Sequence, residues 1–176
     1  MNTLKETFMQ FMTHEDFLEC QKHNPAYYHD GRWAYYSEAI SLIKTNFADS
    51  KHVLELGCFE HSIVSNGDTM DATNKFKPTY HMDATKTPWK QIADKQYDLF
   101  IGLQVFEHLG DSQAEVFKEV QRTCKYAVLS FPWMWKNIKD LKHYKINEVH
   151  VNKWTCNMKP LSVTIVGIRR IYIYKF

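Results

Sequence analysis

Acidic side chains stand at the ends of three short runs that are predicted to be strands in this sequence of 176 residues. Glu55, Asp71 and Asp83 each come at or next to the point where such a run stops. Carboxylates accept hydrogen bonds from a ribose diol, an ammonium group or an exocyclic amine. In an open parallel sheet, ligands bind beyond the carboxyl ends of the strands, so the three acids predict a binding rim. The alternative is that Asp71 and Asp83 only cap turns, as Asp often does.

The loop after the first run begins like a nucleotide-binding loop and then departs from one. Gly57 is present, but Phe59 and His61 stand where such loops repeat glycine to let a backbone approach a ligand. The turn signal Asn66-Gly67 also leaves little room for a helix before the second run. Two interpretations stay open. Either the loop takes a wider path and Phe59 packs against the ligand, or the pocket is partly filled.

Five short runs predict the strands that would position these residues, and the longer ones are continuously apolar. Continuous apolar runs are typical of parallel strands buried on both faces. A helix is predicted over 112–124, between the fourth and fifth strands, which makes a β-α-β unit. The predicted strands cover 53–56, 68–71, 80–83, 97–102 and 126–131.

The two ends of the chain differ in character. Apolar spacing predicts helix over 3–21, with Thr13 and Asp16 marking the start of a second short helix, and an amphipathic helix over 33–47. Residues 161–166 and 168–174 are rich in β-branched and aromatic side chains and predict two tightly joined antiparallel strands. We expect a single domain over 1–176, with a helical lead-in over 1–48 that could act as a lid and a sheet core over 49–176.

Composition excludes several classes of protein. A net charge of +2 and a pI near 8.3 give too weak a field to indicate nucleic-acid binding. The four cysteines form no C-x-x-C pair, and the nine histidines include no close pair backed by carboxylates, so no metal site is predicted. Charged residues interrupt the apolar ones in 1–12, which argues against a signal peptide or a membrane span and predicts a cytoplasmic protein.

The ordered set of motifs resembles the class I S-adenosylmethionine-dependent methyltransferases. Val-Leu-Glu-Leu-Gly-Cys at 53–58 is similar to the first motif of that family, and 97–109, ending in Glu-His-Leu, is similar to its fourth-strand motif. The resemblance continues through a helix into Tyr-Ala-Val-Leu-Ser-Phe-Pro at 126–132, like the fifth strand. It implies an α/β, Rossmann-like fold with a seven-stranded, mostly parallel sheet, helices on both faces and an antiparallel C-terminal strand pair.

The same resemblance implies S-adenosylmethionine as cofactor and S-adenosylhomocysteine as product. Glu55 and Gly57 would lie by the methionine portion. Gly102, Leu103 and Gln104 would line the donor sulfonium.

The other two acids would bind the adenosine portion of the cofactor. The resemblance implies that Asp71 binds the ribose hydroxyls, Asp83 the adenine amino group and Ala84 the adenine edge. Phe59 would pack against the cofactor. Segment 23–33 could fold over the strand ends and bring Arg32 to a carboxylate of the cofactor or of a substrate. The alternative is that the aromatic residues of this segment simply pack.

Three histidines are candidate catalytic bases: His108, and His143 or His150 in the insertion after the fifth strand. A base is needed only when the acceptor arrives protonated. His108 follows the fourth strand, and His143 lies in 141–146, a segment expected to overhang the acceptor pocket. The alternatives are that His108 only joins the loop together and that His143 is a surface side chain.

The methyl acceptor is predicted to be a small molecule, because 176 residues leave no appended recognition domain. Four lysines that recur every three residues from Lys136 to Lys145 could meet phosphate or carboxylate, although such a stripe is usually a solvated face. Two rival functions remain. One is a non-catalytic cofactor-binding or partner-binding subunit, and the other is a nicotinamide-dependent oxidoreductase, which would need G-x-G-x-x-G and a parallel tail.

Overall fold

The computed structural model describes residues 8–136 and 145–176. The helices are α1 (His14–His23), α2 (Asp30–Asn46), α3 (Gln113–Thr123) and α4 (Glu148–Trp154), with a 3-10 turn at Phe106–His108. The strands are β1 (Val53–Leu56), β2 (Asp68–Asp71), β3 (Tyr80–His81), β4 (Tyr97–Leu103), β5 (Cys124–Pro132), β6 (Ser162–Val166) and β7 (Arg169–Lys175).

The seven strands form one sheet in the order β3-β2-β1-β4-β5-β7-β6. Strands β1 to β5 pair in parallel, and β7 runs antiparallel between β5 and β6. The predicted α/β, Rossmann-like class, with a mostly parallel sheet and an antiparallel C-terminal pair, is therefore confirmed. The antiparallel tail also counts against a nicotinamide-dependent oxidoreductase, which predicts a parallel one.

Alternate side chains of the central strands divide the core between the two faces of the sheet. Leu99 and Ile101 of β4 pack with α1 and α2, whereas Phe100 packs with α3 and α4. All three are fully buried. Burial of one such side chain contributes about 1.5–3 kcal/mol to the stability of the fold. The helices on both faces of the sheet therefore help to fix the positions of the strand ends.

The N-terminal segment differs from its prediction. Residues 8–13 are not helical, and Phe11 forms an antiparallel bridge with Val64 instead. The backbone N–H of Met12 donates to Ile63 O at 3.0 Å, which extends this pairing. The loop between β1 and β2 contains no helix, so the segment satisfies backbone groups that a crossover helix would otherwise cover.

The helix that follows starts where its sequence indicates. The Thr13 hydroxyl accepts a hydrogen bond from Asp16 N, and Asp16 Oδ2 accepts one from Thr13 N, which makes a capping box. In the described part of the chain, no helix has the length and apolarity that a membrane span requires.

Candidate active site

The end of β1 turns sharply at Gly57. Its φ of 71° lies in the left-handed region, and its N–H donates to Met70 O of the neighbouring strand at 2.9 Å. A β-carbon at this position would lie 2.6 Å from Val105 Cγ2. Glycine is therefore required both by backbone conformation and by the close approach of the loop after β4.

Glu55 holds the loop that follows. Its buried carboxylate accepts hydrogen bonds through Oε2 from the backbone N–H groups of Ile63, at 2.7 Å, and Val64, at 3.4 Å. Burial raises the pKa of Glu55 to about 8, against the lowering effect of these two donors. The side chain therefore fixes the path of the loop from inside the fold.

Asp71 and Asp83 both cap the turns that leave their strands. Asp71 Oδ1 accepts a hydrogen bond from Thr73 N at 2.8 Å, and no described residue donates to its Oδ2. Asp83 Oδ1 accepts from the Thr85 hydroxyl and the Thr85 N–H, which lowers the pKa of Asp83. Capping uses one carboxylate oxygen of each residue, so the other oxygen can meet a ligand.

A cavity of about 390 Å³ opens between these strand ends. Its volume falls in the range of small-molecule sites, about 300–1,000 Å³. It is lined by seven residues that the sequence singles out: Gly57, Phe59, Asp71, Asp83, Ala84, Gln104 and His108. Its remaining walls come from Tyr27, Leu56, Ala72, Thr85, Val105 and Leu109.

Phe59 closes one side of the cavity without filling it. The residue has a φ of 49°, so it adopts the left-handed conformation that a glycine would adopt at lower cost. Its ring centroid lies 4.5 Å from that of Tyr27 and 5.1 Å from that of Phe76. Phe59 also lines a second cavity, of about 340 Å³.

No protein-family profile matches the sequence, and a comparison with curated proteins finds no relative. Solved structures are similar to it. The PH0226 protein from Pyrococcus horikoshii has a TM-score of 0.63 at 15% identity, over 89% of this chain and 98% of its own. The N-methyltransferase NodS from Bradyrhizobium japonicum has a TM-score of 0.62 at 10% identity, over 84% and 97%. The N-terminal domain of EvdMO1 with S-adenosylhomocysteine (SAH) bound has a TM-score of 0.51 at 8% identity, over 80% of each chain.

The chain has the class I methyltransferase fold. In this class I fold, β1 and β4 are adjacent although they are not consecutive, so the crevice at their carboxyl ends is the expected ligand site. Gly57 and Gln104 follow those two strands and both line the cavity.

Four residues that are predicted from the sequence to lie at the cofactor are outside the lining of the cavity. Glu55 is directed to the amides of the loop. Gly102 is a packing glycine, because a β-carbon there would lie 3.0 Å from Phe100 and 3.2 Å from Leu129. Leu103 packs with the cluster on the α1 and α2 face.

Arg32 is the fourth. Its Nε donates to Tyr27 O at 2.7 Å, and its Cζ lies 3.8 Å from the centroid of the Tyr27 ring. It therefore stands behind a residue of the cavity wall. His143 lies outside the described residues.

Tyr27 and Val105 also line the cavity, although neither was predicted from the sequence to be a site residue. Tyr27 belongs to the polar and aromatic segment 23–33. The position of this segment before the sheet indicated that it could fold over the strand ends. Val105 lies directly after Gln104 in the fourth-strand motif. Within the described residues, no group of three or more His, Cys, Asp or Glu side chains could hold a metal ion.

Proposed function

We propose that this chain is an S-adenosylmethionine-dependent methyltransferase that acts on a small-molecule acceptor. The observation that carries the proposal is the cavity at the carboxyl rim, which has Asp71 and Asp83 in its wall at the ends of neighbouring strands. Because both acids line the same cavity, they match a ligand that carries two separate sets of hydrogen-bond donors. Either acid alone would not be specific for such a ligand.

The residues of this cavity fit the cofactor group by group. Asp71 would bind the ribose hydroxyls through Oδ2, which no described residue uses, and Asp83 would bind the adenine amino group. Ala84 would contact the adenine edge, and the ring of Phe59 would pack against the cofactor. The aliphatic and aromatic parts of the wall keep water away from these contacts.

The methionine end would lie toward the ends of β1 and β4. There Gly57 lets the backbone approach, and Gln104 would face the sulfonium, while Gly102 and Leu103 support the strand from within the core. Glu55 would act on the cofactor only through the loop that it holds. We assign Arg32 to the carboxylate of the cofactor, because it stands directly behind Tyr27.

S-adenosylmethionine would supply a methyl group that is already activated on a sulfonium. The chain would then align the acceptor with this group and exclude water, and such positioning lowers a barrier by about 7–11 kcal/mol. His108, in the cavity wall, is the candidate base for an acceptor that arrives protonated, with His143 as the second candidate.

Calorimetric titration with S-adenosylmethionine and with SAH tests the proposal. We expect both to bind at submillimolar concentration. Asp71→Asn should weaken this binding by about tenfold to a hundredfold, because one hydrogen bond to a charged group contributes about 1.5–3 kcal/mol. Asp111→Asn, in an exposed loop, is the matched control and should bind as the wild type does.

The outcomes separate the rival functions. A wild-type chain that binds neither compound at millimolar concentration rules out the methyltransferase. Binding without turnover on a broad acceptor panel would favour the non-catalytic subunit instead. Equal affinity of Asp71→Asn and the wild type would refute the ribose role of Asp71.

A further inference from the structure

Arg169 is a buried cation whose charge is not balanced by a carboxylate in the described part of the chain. The residue is 9% exposed, and its Nε has no hydrogen-bond partner among the described residues. Its guanidinium carbon lies 4.8 Å from the centroid of the Tyr35 ring. Among the described residues, no carboxylate lies within 4 Å of the Arg169 guanidinium, the distance of an ion pair. A buried charge without a partner is costly, so a residue of this kind indicates a missing anion.

A second guanidinium makes the surroundings more positive. Burial and the charge of Arg32 both lower the pKa of Arg169. Arg32 also forms no ion pair in the described part of the chain, and Tyr27 O receives its Nε hydrogen bond. Glu107 contributes negative charge nearby, since burial and then the charge of Glu107 raise the pKa of Tyr35.

The neighbouring arginine of the same strand shows what a structural role looks like. Arg170 points to the other face of the sheet, where its guanidinium carbon lies 3.5 Å from the Trp133 ring centroid. It also pairs with Glu148 at 3.8 Å. The Nε of each arginine lacks a hydrogen-bond partner among the described residues, so the difference lies in the charge: Arg170 has a carboxylate beside it, and Arg169 has only a ring.

The position of Arg169 relates it to the proposed acceptor side. It pairs with Pro132 at the carboxyl end of β5, on the same rim as the cavity. The Tyr35 hydroxyl beside it hydrogen-bonds to the Ser130 hydroxyl. Ser130 Oγ in turn accepts a hydrogen bond of 3.1 Å from the N–H of Gln104, a cavity-wall residue. Arg169 therefore stands two side chains away from the place where the methyl group would be presented.

We infer that Arg169 recognises an anionic group, a carboxylate or a phosphate, on the methyl acceptor. This inference rests on the proposed function. Arginine suits the role because its planar donors meet both anions in a bidentate manner. With Arg32 on the cofactor carboxylate, each guanidinium would receive one anion, which relieves their mutual repulsion.

The test titrates the chain saturated with SAH with three probes: benzoate, phenyl phosphate and the neutral benzyl alcohol. We expect at least one anionic probe to bind more tightly than benzyl alcohol. Arg169→Gln should lose about tenfold to a hundredfold of the anion affinity and none of the benzyl alcohol affinity. Arg169→Lys keeps the charge but not the planar fork and should be intermediate. Lys175→Gln, an exposed lysine at the opposite end of β7, is the matched control.

Binding of 5′-methylthioadenosine, which lacks the amino-acid carboxylate, distinguishes the acceptor from the cofactor. We expect Arg169→Gln to bind SAH as the wild type does. If the variant loses SAH affinity but keeps 5′-methylthioadenosine affinity, Arg169 serves the cofactor and the inference is overturned. Equal anion affinity of Arg169→Gln and the wild type overturns it as well, as does a wild type that binds SAH but neither anionic probe. A wild type that binds no SAH refutes the proposed function, and the inference with it.

Discussion

Glu55 Oε2 accepts a hydrogen bond of 2.7 Å from the backbone N–H of Ile63. The acid of the first motif therefore binds the loop after β1 and does not line the cavity. The family resemblance placed this acid by the methionine portion of the cofactor. The structure gives it a different physical task. With no helix between β1 and β2, a buried carboxylate supplies the acceptor that orders the loop carrying Gly57 and Phe59.

Stability should therefore depend on pH through Glu55. The folded state raises its pKa from 4.5 to about 8, so the folded chain holds this proton more tightly than the unfolded chain does. The free energy of unfolding should fall as the pH rises through that interval, by on the order of 4 kcal/mol. Glu55→Gln keeps an oxygen acceptor and removes the titration. Urea unfolding should find it close to the wild type at pH 5 and more stable at pH 8.

Glu38→Gln, which removes an exposed carboxylate on α2, is the control for this experiment. Its stability should follow that of the wild type across the range. Parallel pH curves for Glu55→Gln and the wild type would show that Glu55 titrates normally in the folded chain.

Gly57→Ala should destabilise the chain by two separable effects. The left-handed φ costs about 1–2 kcal/mol for a residue with a β-carbon, and the 2.6 Å approach to Val105 adds overpacking of about 1–3 kcal/mol. Gly110→Ala is the matched control, because its φ is 62° and a β-carbon there would meet nothing within 4 Å. Urea midpoints should show the smaller loss for Gly110→Ala.

The Val105→Ala background tests the steric part directly. Gly57→Ala should cost less there than in the wild-type background, because the clashing methyl group is gone. If the cost is the same in both backgrounds, the contact with Val105 plays no part.

Phe59→Gly decides between the two interpretations of the glycine-poor loop. If the ring is a wall of the cofactor cavity, its removal should weaken SAH binding by about tenfold, since an aromatic contact contributes about 0.5–1.5 kcal/mol beyond its buried area. Phe76→Ala disturbs the same aromatic cluster outside the cavity wall and should leave the affinity nearly unchanged. If Phe59→Gly binds SAH more tightly than the wild type, the ring partly fills the pocket and does not pack against the cofactor.

The regular strands are the part of the fold that the sequence predicts best. The predicted ranges 53–56 and 68–71 coincide with β1 and β2, because each run is short, apolar or β-prone and bounded by polar residues or a turn signal. The predicted N-terminal helix was wrong in its described part. Phe8, Phe11 and Met12 have helical spacing, but the open loop between β1 and β2 offered residues 8–13 backbone partners that no local pattern can show.

The candidate site divides in the same way. Asp71 and Asp83 could be placed from sequence, because strand ends at one rim follow from parallel topology. The direction of the Glu55 side chain could not, since it depends on the path of a loop. Helix α4 was also not predicted, because its capping box uses Asn147 with His150 rather than the usual Glu or Gln. The stacking of Arg32 on Tyr27 depends on tertiary packing alone.

Trp89 connects Ala84, in the wall of the cavity, to α3. Its backbone N–H donates to Glu119 Oε2 at 2.7 Å, and its indole N–H donates to Ala84 O at 2.9 Å. Glu119 also pairs with Arg122. Glu119→Ala leaves a buried N–H without an acceptor, which costs about 1–3 kcal/mol, and removes the partner of Arg122. We expect lower stability in urea together with weaker SAH binding, because Ala84 moves with Trp89.

Trp89→Phe separates the two parts of this connection. It removes the indole donor to Ala84 and leaves the backbone hydrogen bond to Glu119, so SAH affinity should fall while Arg122 keeps its ion pair. Glu115→Ala is the control, because Glu115 is an exposed acid on the same helix and pairs with Lys118. It should change neither the free energy of unfolding nor the free energy of SAH binding by more than about 0.5 kcal/mol. Unchanged SAH affinity in both Glu119→Ala and Trp89→Phe would show that the wall at Ala84 does not depend on α3.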